Sequence, residues 1–203
     1  GGVFFSISKG MPTGIAALIV TLQPILTNAL SGPILNEKVS LKQWIGVLLG
    51  FSGAVMVLGF DIGTEIPTIG LVATVVALIA ITTSTIWQKK LSNNLPLSVS
   101  NMNQALGGFI FHIIIIILFA EPHINFSTTF ITAMSHQIFL VSFGAFTILM
   151  FLIKKNSASK TVSIFFLIPP TSAFMAWLFL NESLSNLDLL GFLIATIGVY
   201  IAT

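Results

Sequence analysis

Long apolar runs, separated only by short polar links, divide the 203-residue chain into seven segments: 13–35, 41–60, 68–88, 98–119, 130–153, 159–180 and 186–203. Each is close to the roughly 20 residues that a helix needs to cross the hydrocarbon of a bilayer. Lipid offers a backbone no hydrogen-bond partners, so runs of this length predict membrane-spanning helices. The links carry turn formers and most of the charge, as in Asn36-Glu37-Lys38, Asp61-Ile62-Gly63, Ser92-Asn93-Asn94-Leu95-Pro96 and Asn156-Ser157. The expected fold class is all-α, a polytopic membrane helix bundle with seven full helices in this chain.

Composition sharpens this picture. With 55% hydrophobic and 7% charged residues, and a mean hydropathy of +1.03, the chain cannot be a soluble globule, whose charged fraction is about 25%. It has no cysteine, which rules out disulfides and thiolate metal sites within these residues. The basic pI of 9.1 comes from lysines placed with a strong bias. If the helices alternate direction, Lys38, Lys42, Lys89, Lys90, Lys154, Lys155 and Lys160 fall on one side and Lys9 alone on the other. Cytoplasmic loops retain basic residues during insertion, so the lysine-rich side is expected in the cytoplasm, with the C-terminus at Thr203 on that side. The expected location is a bacterial inner (plasma) membrane.

The chain also repeats itself. At an offset of 145 positions, Ile19, Leu22, Pro24, Leu35, Asn36, Glu37, Ser40, Gly46, Leu48 and Gly53 meet Ile164, Leu167, Pro169, Leu180, Asn181, Glu182, Ser185, Gly191, Leu193 and Gly198 without a gap. The first helix matches the sixth, five crossings later, and an odd number of crossings inverts the second copy. Residues 68–203 hold five helices of the second copy, and residues 1–60 hold the stump of a third helix followed by a fourth and a fifth. Two further helices and most of a third, about 80 residues, are therefore expected upstream, for ten in all.

The run from Met11 through Pro24 to Thr27, then Asn36-Glu37-Lys38-Val39-Ser40, Gln43-Trp44-Ile45-Gly46, Gly50 and Gly53, resembles the EamA domain of the drug/metabolite transporter superfamily. Pro169, Asn181-Glu182-Ser183-Leu184-Ser185, Gly191 and Gly198 resemble the same domain a second time. The resemblance implies two inverted halves, 1–60 and 68–203 being the end of the first repeat and the whole of the second. It also implies movement of small organic solutes, often outward.

Residue chemistry suggests where a solute path could lie. Pro24 and Pro169 fall inside apolar runs, and each leaves the carbonyl four residues earlier, on Val20 and Phe165, without its usual donor. Such a bend either lines a pathway or is a packing kink. Gln23, Thr27 and Ser31 share one helix face, as do Asn101, Gln104, Gly108 and His112; these stripes either join helices or line a cavity. His112 lies well inside a span and could carry a proton, against the plainer role of a neutral packing residue. Asn36, Glu37, Asn181 and Glu182 form matched helix-end motifs, read as structural support or as gates. Gly46, Gly50, Gly53, Gly191 and Gly198 place small residues on one face for close helix approach. Trp44, Trp87, Trp177 and Tyr200 sit near helix ends, where aromatic rings anchor at headgroups.

The function read from these features is a permease or exporter of small metabolites or drugs, working by alternating access, with Gln23, Pro24, Thr27, Asn101, Gln104, His112 and Pro169 on its pathway. No catalytic residue, metal or cofactor is expected. Glu121, His123 and His136 are too loosely spaced to argue for a metal. The expected partners are a small-molecule solute, the lipid bilayer and a second copy in a homodimer, but not nucleic acid. A membrane-embedded enzyme acting on lipid-linked substrates and a non-transporting scaffold are the alternatives.

Overall fold

The structure is a computed structural model that describes residues 1–59, 66–92, 95–119, 125–180 and 183–203. Its elements are α1 (Gly2–Ser8), α2 (Thr13–Val20), α3 (Gln23–Leu35), α4 (Leu41–Leu58), α5 (Thr68–Ser92), α6 (Leu97–Phe119), α7 (Thr128–Ser135), a π-helical stretch (His136–Ala145), α8 (Phe146–Lys155), α9 (Ala158–Ser163), a 3-10 turn (Ile164–Leu167), α10 (Ile168–Leu180) and α11 (Asn186–Ala202). Among the described residues there are no strands, and six helical runs are long and apolar enough to cross a membrane; α11 is a shorter apolar helix. The seven predicted segments all appear. Three are interrupted: 13–35 breaks at Thr21 and Leu22, 159–180 tightens into the 3-10 turn, and 130–153 widens into the π-helical stretch.

The chain divides into two compact units, 1–88 with 157–203, and 89–156. In the first, the repeat is visible in the element bounds: α2, α3 and α4 recur 145 positions later as the stretches that open at Ala158, Ile168 and Asn186. Even the capping recurs. The Ser40 hydroxyl accepts from the Gln43 N–H at 3.2 Å while the Gln43 side chain accepts from the Ser40 N–H at 2.9 Å. Ser185 and Asp188 form the same reciprocal pair at 3.1 and 2.8 Å. Each satisfies two of the amide donors that a helix start leaves without partners.

The centre of this unit is the contact of α4 with α11. A Cβ added to Gly46 would stand 2.6 Å from the Gly198 carbonyl oxygen, and one on Gly53 2.5 Å from that of Gly191. Viewed from α11, a Cβ on Gly198 would stand 2.7 Å from the Gly46 oxygen and one on Gly191 2.8 Å from the Gly53 oxygen. The early residues of one helix meet the late residues of the other, so the two run antiparallel with their backbones in contact. Gly46 with Gly198 becomes Gly191 with Gly53 when the copies are exchanged. The contact is thus self-complementary, as a two-fold axis requires. Phe166 lies over Gly50, fully buried, with its ring edge toward Phe51 at a centroid distance of 6.4 Å. Val47, Ala54, Val199 and Ala202 complete this core.

The second unit is built of α6, α7, the π-helical stretch and α8. Its helix ends are tied by lysines: the Lys89 ammonium donates to the Asn156 carbonyl at 2.6 Å, and that of Lys154 to the Leu95 carbonyl at 2.9 Å. Cations suit these positions because helix C-termini present carbonyls without intrahelical partners. Most side chains of α6 are exposed, Phe109, Phe111, Ile117 and Leu118 among them. A continuous apolar surface of this kind is at home in lipid and would be a liability in water.

Candidate functional site

Both interrupted helices of the first unit meet one cavity of about 760 Å³. Its wall includes Val20, Gln23 and Pro24 at the first break, and Phe165, Ile168 and Pro169 at the second. From there it extends past Ala17 and Thr13 of α2 and Ala173 and Ala176 of α10, toward the ends of those helices remote from Lys38 and Lys160. Cavities of this size are typical of sites for small organic molecules.

The breaks have a local cause. Proline has no N–H, so Pro24 cannot bond the Val20 carbonyl, nor Pro169 that of Phe165. The chain answers by tightening. The Leu22 N–H donates to Ile19 at 3.1 Å in the first copy, and in the second the Phe165 carbonyl takes the N–H of Ile168 in the 3-10 turn. The Phe165 carbonyl is therefore not left free, contrary to the sequence expectation. Local 3-10 adjustment is one of the ways in which a helix interrupted by proline regains its hydrogen bonds at membrane depth.

Gln23 is 2% exposed and held in place. Its side-chain amide donates to the Thr85 hydroxyl at 3.1 Å, which itself donates to the Ile81 carbonyl at 2.9 Å. The Thr27 hydroxyl donates to the Gln23 carbonyl at 2.9 Å, so Thr27 is buried one turn behind the cavity and is not part of its wall. Ser31 continues the stripe and bonds back to the Asn28 carbonyl at 3.2 Å. Of this polar face, Gln23 alone borders the cavity; Thr27 and Ser31 bond back to carbonyls of their own helix.

Asn101, Gln104 and His112 lie on α6 in the other unit, Asn101 and Gln104 half-buried and His112 exposed. The His112 Nδ1 is 2.7 Å from the Gly108 carbonyl, a bond within its own helix. The Asn101 side-chain oxygen is buried without a hydrogen-bond partner. Asn181 and Glu182 lie outside the described residues.

Their counterparts Asn36 and Glu37 are described, and they make a contact whose partner the sequence did not reveal. Asn36 ends α3 in the left-handed region, φ 56°, with its N–H donating to Gly32 and that of Glu37 to Ser31. This turn sends Glu37 toward the second copy, where one carboxylate oxygen accepts the Ala158 N–H at 2.9 Å. The Ser159 hydroxyl donates to the side-chain oxygen of Asn28, which is 2% exposed. α3 and α9 are thus joined at the lysine-rich end, where the Lys160 ammonium also donates to the Thr203 carbonyl at 2.6 Å. Two atoms here are buried without partners, Asn28 Nδ2 and Glu37 Oε2, and each such group costs about 1–3 kcal/mol. No signal in the sequence paired Asn28 with Ser159, because the pair is not repeated: the matching positions are Ala173 and Gly14.

Among the described residues no group of His, Asp and Glu could hold a metal ion.

A solved crystal structure superposes on the whole chain with a TM-score of 0.84, at 18% identity, and the chain covers 70% of it. A Bacillus subtilis protein named as an uncharacterized transporter, YvbV, is 26% identical over 200 residues, spanning 93% of this chain and 62% of its own length. A protein of Salmonella typhimurium named as a probable amino-acid metabolite efflux pump is 23% identical over 209 residues, 98% of this chain and 70% of its own. The chain thus spans less than two thirds of the Bacillus relative. The sequence model of the EamA-like transporter family matches residues 2–59 and 68–203, and the chain belongs to that family.

Proposed function

We propose that this chain forms part of a membrane carrier that moves a small organic metabolite by alternating access, and that the cavity at the two helix breaks lies on its pathway. The observation that carries this reading is the meeting of Gln23, Pro24 and Pro169 at one cavity of about 760 Å³. Equivalent interruptions of an inverted pair flanking a common space are how secondary transporters build a site near the bilayer midplane. The two copies, 1–60 and 68–203, are then two inverted EamA repeats, with the lysine-rich end in the cytoplasm of a bacterial inner membrane. Asn101, Gln104 and His112 of α6 stay candidate pathway residues in this reading, and the homodimer belongs to it as well. The name of the Salmonella relative supports outward movement of an amino-acid-related metabolite. No chemistry on the solute is part of this reading.

Flux of radiolabelled metabolites in vesicles containing the protein tests it. Gln23→Leu is expected to weaken apparent solute affinity about fivefold or more, because the cavity loses its amide and the Thr85 hydroxyl the donor it accepts from. Wild-type flux in Gln23→Leu and Pro169→Ala alike would place the pathway elsewhere.

A further inference from the structure

We propose that Asn28, Ser159 and Glu37 form a latch that holds the lysine-rich end shut, and that the Asn28–Ser159 pair, which the opposite end lacks, makes this the resting state. The inference rests on the carrier reading in that it requires two conformations that expose the cavity alternately.

An inverted repeat supplies each closing contact twice, once for each face of the membrane. At the lysine-rich end the contact is made: the Ser159 hydroxyl donates to Asn28, and the Ala158 N–H to Glu37 at 2.9 Å. Exchanging the copies carries Asn28 and Ser159 onto Ala173 and Gly14, neither of which has a polar side chain. Ala173 lines the cavity, as does Thr13 beside Gly14. The backbone fold is duplicated while the polar pair is not, so the two closed states cannot be equal in energy. The state with Asn28 and Ser159 joined has a hydrogen bond that its mirror state lacks.

The latch is nonetheless releasable. Asn28 Nδ2 and Glu37 Oε2 are buried without partners while it is closed, and opening this end to water would hydrate both. What the two hydrogen bonds gain is opposed by what those two atoms forgo, which favours a small difference between states over a permanent lock.

The chain has no cysteine, so single cysteines can report on each end. Ser163, 1% exposed one turn beyond the latch, reports on the lysine-rich half, and Ala176 on the cavity wall reports on the other. In membranes, Ala176→Cys is expected to react readily with a small water-soluble thiol reagent and Ser163→Cys slowly. Adding Asn28→Ala, the residue its repeat mate carries, is expected to raise Ser163→Cys labelling about tenfold and lower Ala176→Cys labelling. Glu37→Ala is expected to act in the same direction, and Glu37→Gln, which keeps an acceptor oxygen, less strongly.

A complementary variant installs the missing pair. Ala173→Asn with Gly14→Ser has room at Gly14, where an added Cβ meets nothing nearer than the Leu58 carbonyl at 3.9 Å. It is expected to close the far end, protecting Ala176→Cys and exposing Ser163→Cys. Unchanged labelling at Ser163, or a rise at both reporters as in general loosening, overturns the latch. Reciprocal labelling without any solute flux defeats the carrier reading and leaves the latch; flux with unresponsive reporters does the reverse.

Discussion

Asn36 combines an unusual conformation with a long-range consequence. At φ 56° it is the one non-glycine residue with positive φ among the described residues, and asparagine is among the few residues that occupy this region at low cost. The turn it makes ends α3 and brings Glu37 to the Ala158 N–H. Asn36→Gly should therefore be nearly neutral, while Asn36→Val, whose branched Cβ resists positive φ, should cost about 1–2 kcal/mol. Reversible unfolding in mild detergent would check the pair, and equal stabilities would mean that the turn does not constrain the fold. Gln23 was recognisable from the sequence as a polar residue at membrane depth, but its partner was not. Nothing in the spacing of α3 and α5 says that residue 23 meets residue 85, because that contact depends on how two helices rotate about their axes.

At the scale of elements, the α4 and α11 contact gives the sharpest expectation. Gly46→Ala or Gly198→Ala would drive a methyl group into backbone on the facing helix, which cannot move aside as a flexible side chain can. Each should destabilise the protein by about 1–3 kcal/mol and part the helices. Gly107→Ala, where an added Cβ meets nothing within 4 Å, should be harmless. Thermal unfolding of the three variants would decide, and equal losses at Gly46 and Gly107 would contradict the contact. These glycines were legible in the sequence because they recur at one spacing in both copies, and the helix breaks because proline leaves few options. The capping boxes were also legible in principle, since Ser40 and Gln43 recur as Ser185 and Asp188. The π-helical stretch His136–Ala145 was not. It carries no proline, and the shift from four-residue to five-residue hydrogen bonding leaves no mark on an apolar run.

For the molecule as a whole, the repeat and the lysines make independent statements about direction. The self-complementary glycine contact requires α4 and α11 to be antiparallel whichever way the protein is inserted, since it is fixed by backbone approach within one unit. Lysine placement concerns insertion alone, and charge asymmetry between loops sets which end stays in the cytoplasm. Their agreement can be tested at three lysines of the first unit. Lys9 follows α1, and the helical run from Thr13 to Leu35 separates it from Lys38; Lys160 opens the matching run of the second copy. In sealed right-side-out vesicles, a membrane-impermeant amine reagent should therefore modify Lys9 and spare Lys38 and Lys160, and in inverted vesicles the pattern should reverse. Modification of Lys38 and Lys160 from opposite faces would contradict the antiparallel pairing itself. Modification of both from outside would leave that pairing intact and reverse the insertion, making the latched end the outer one.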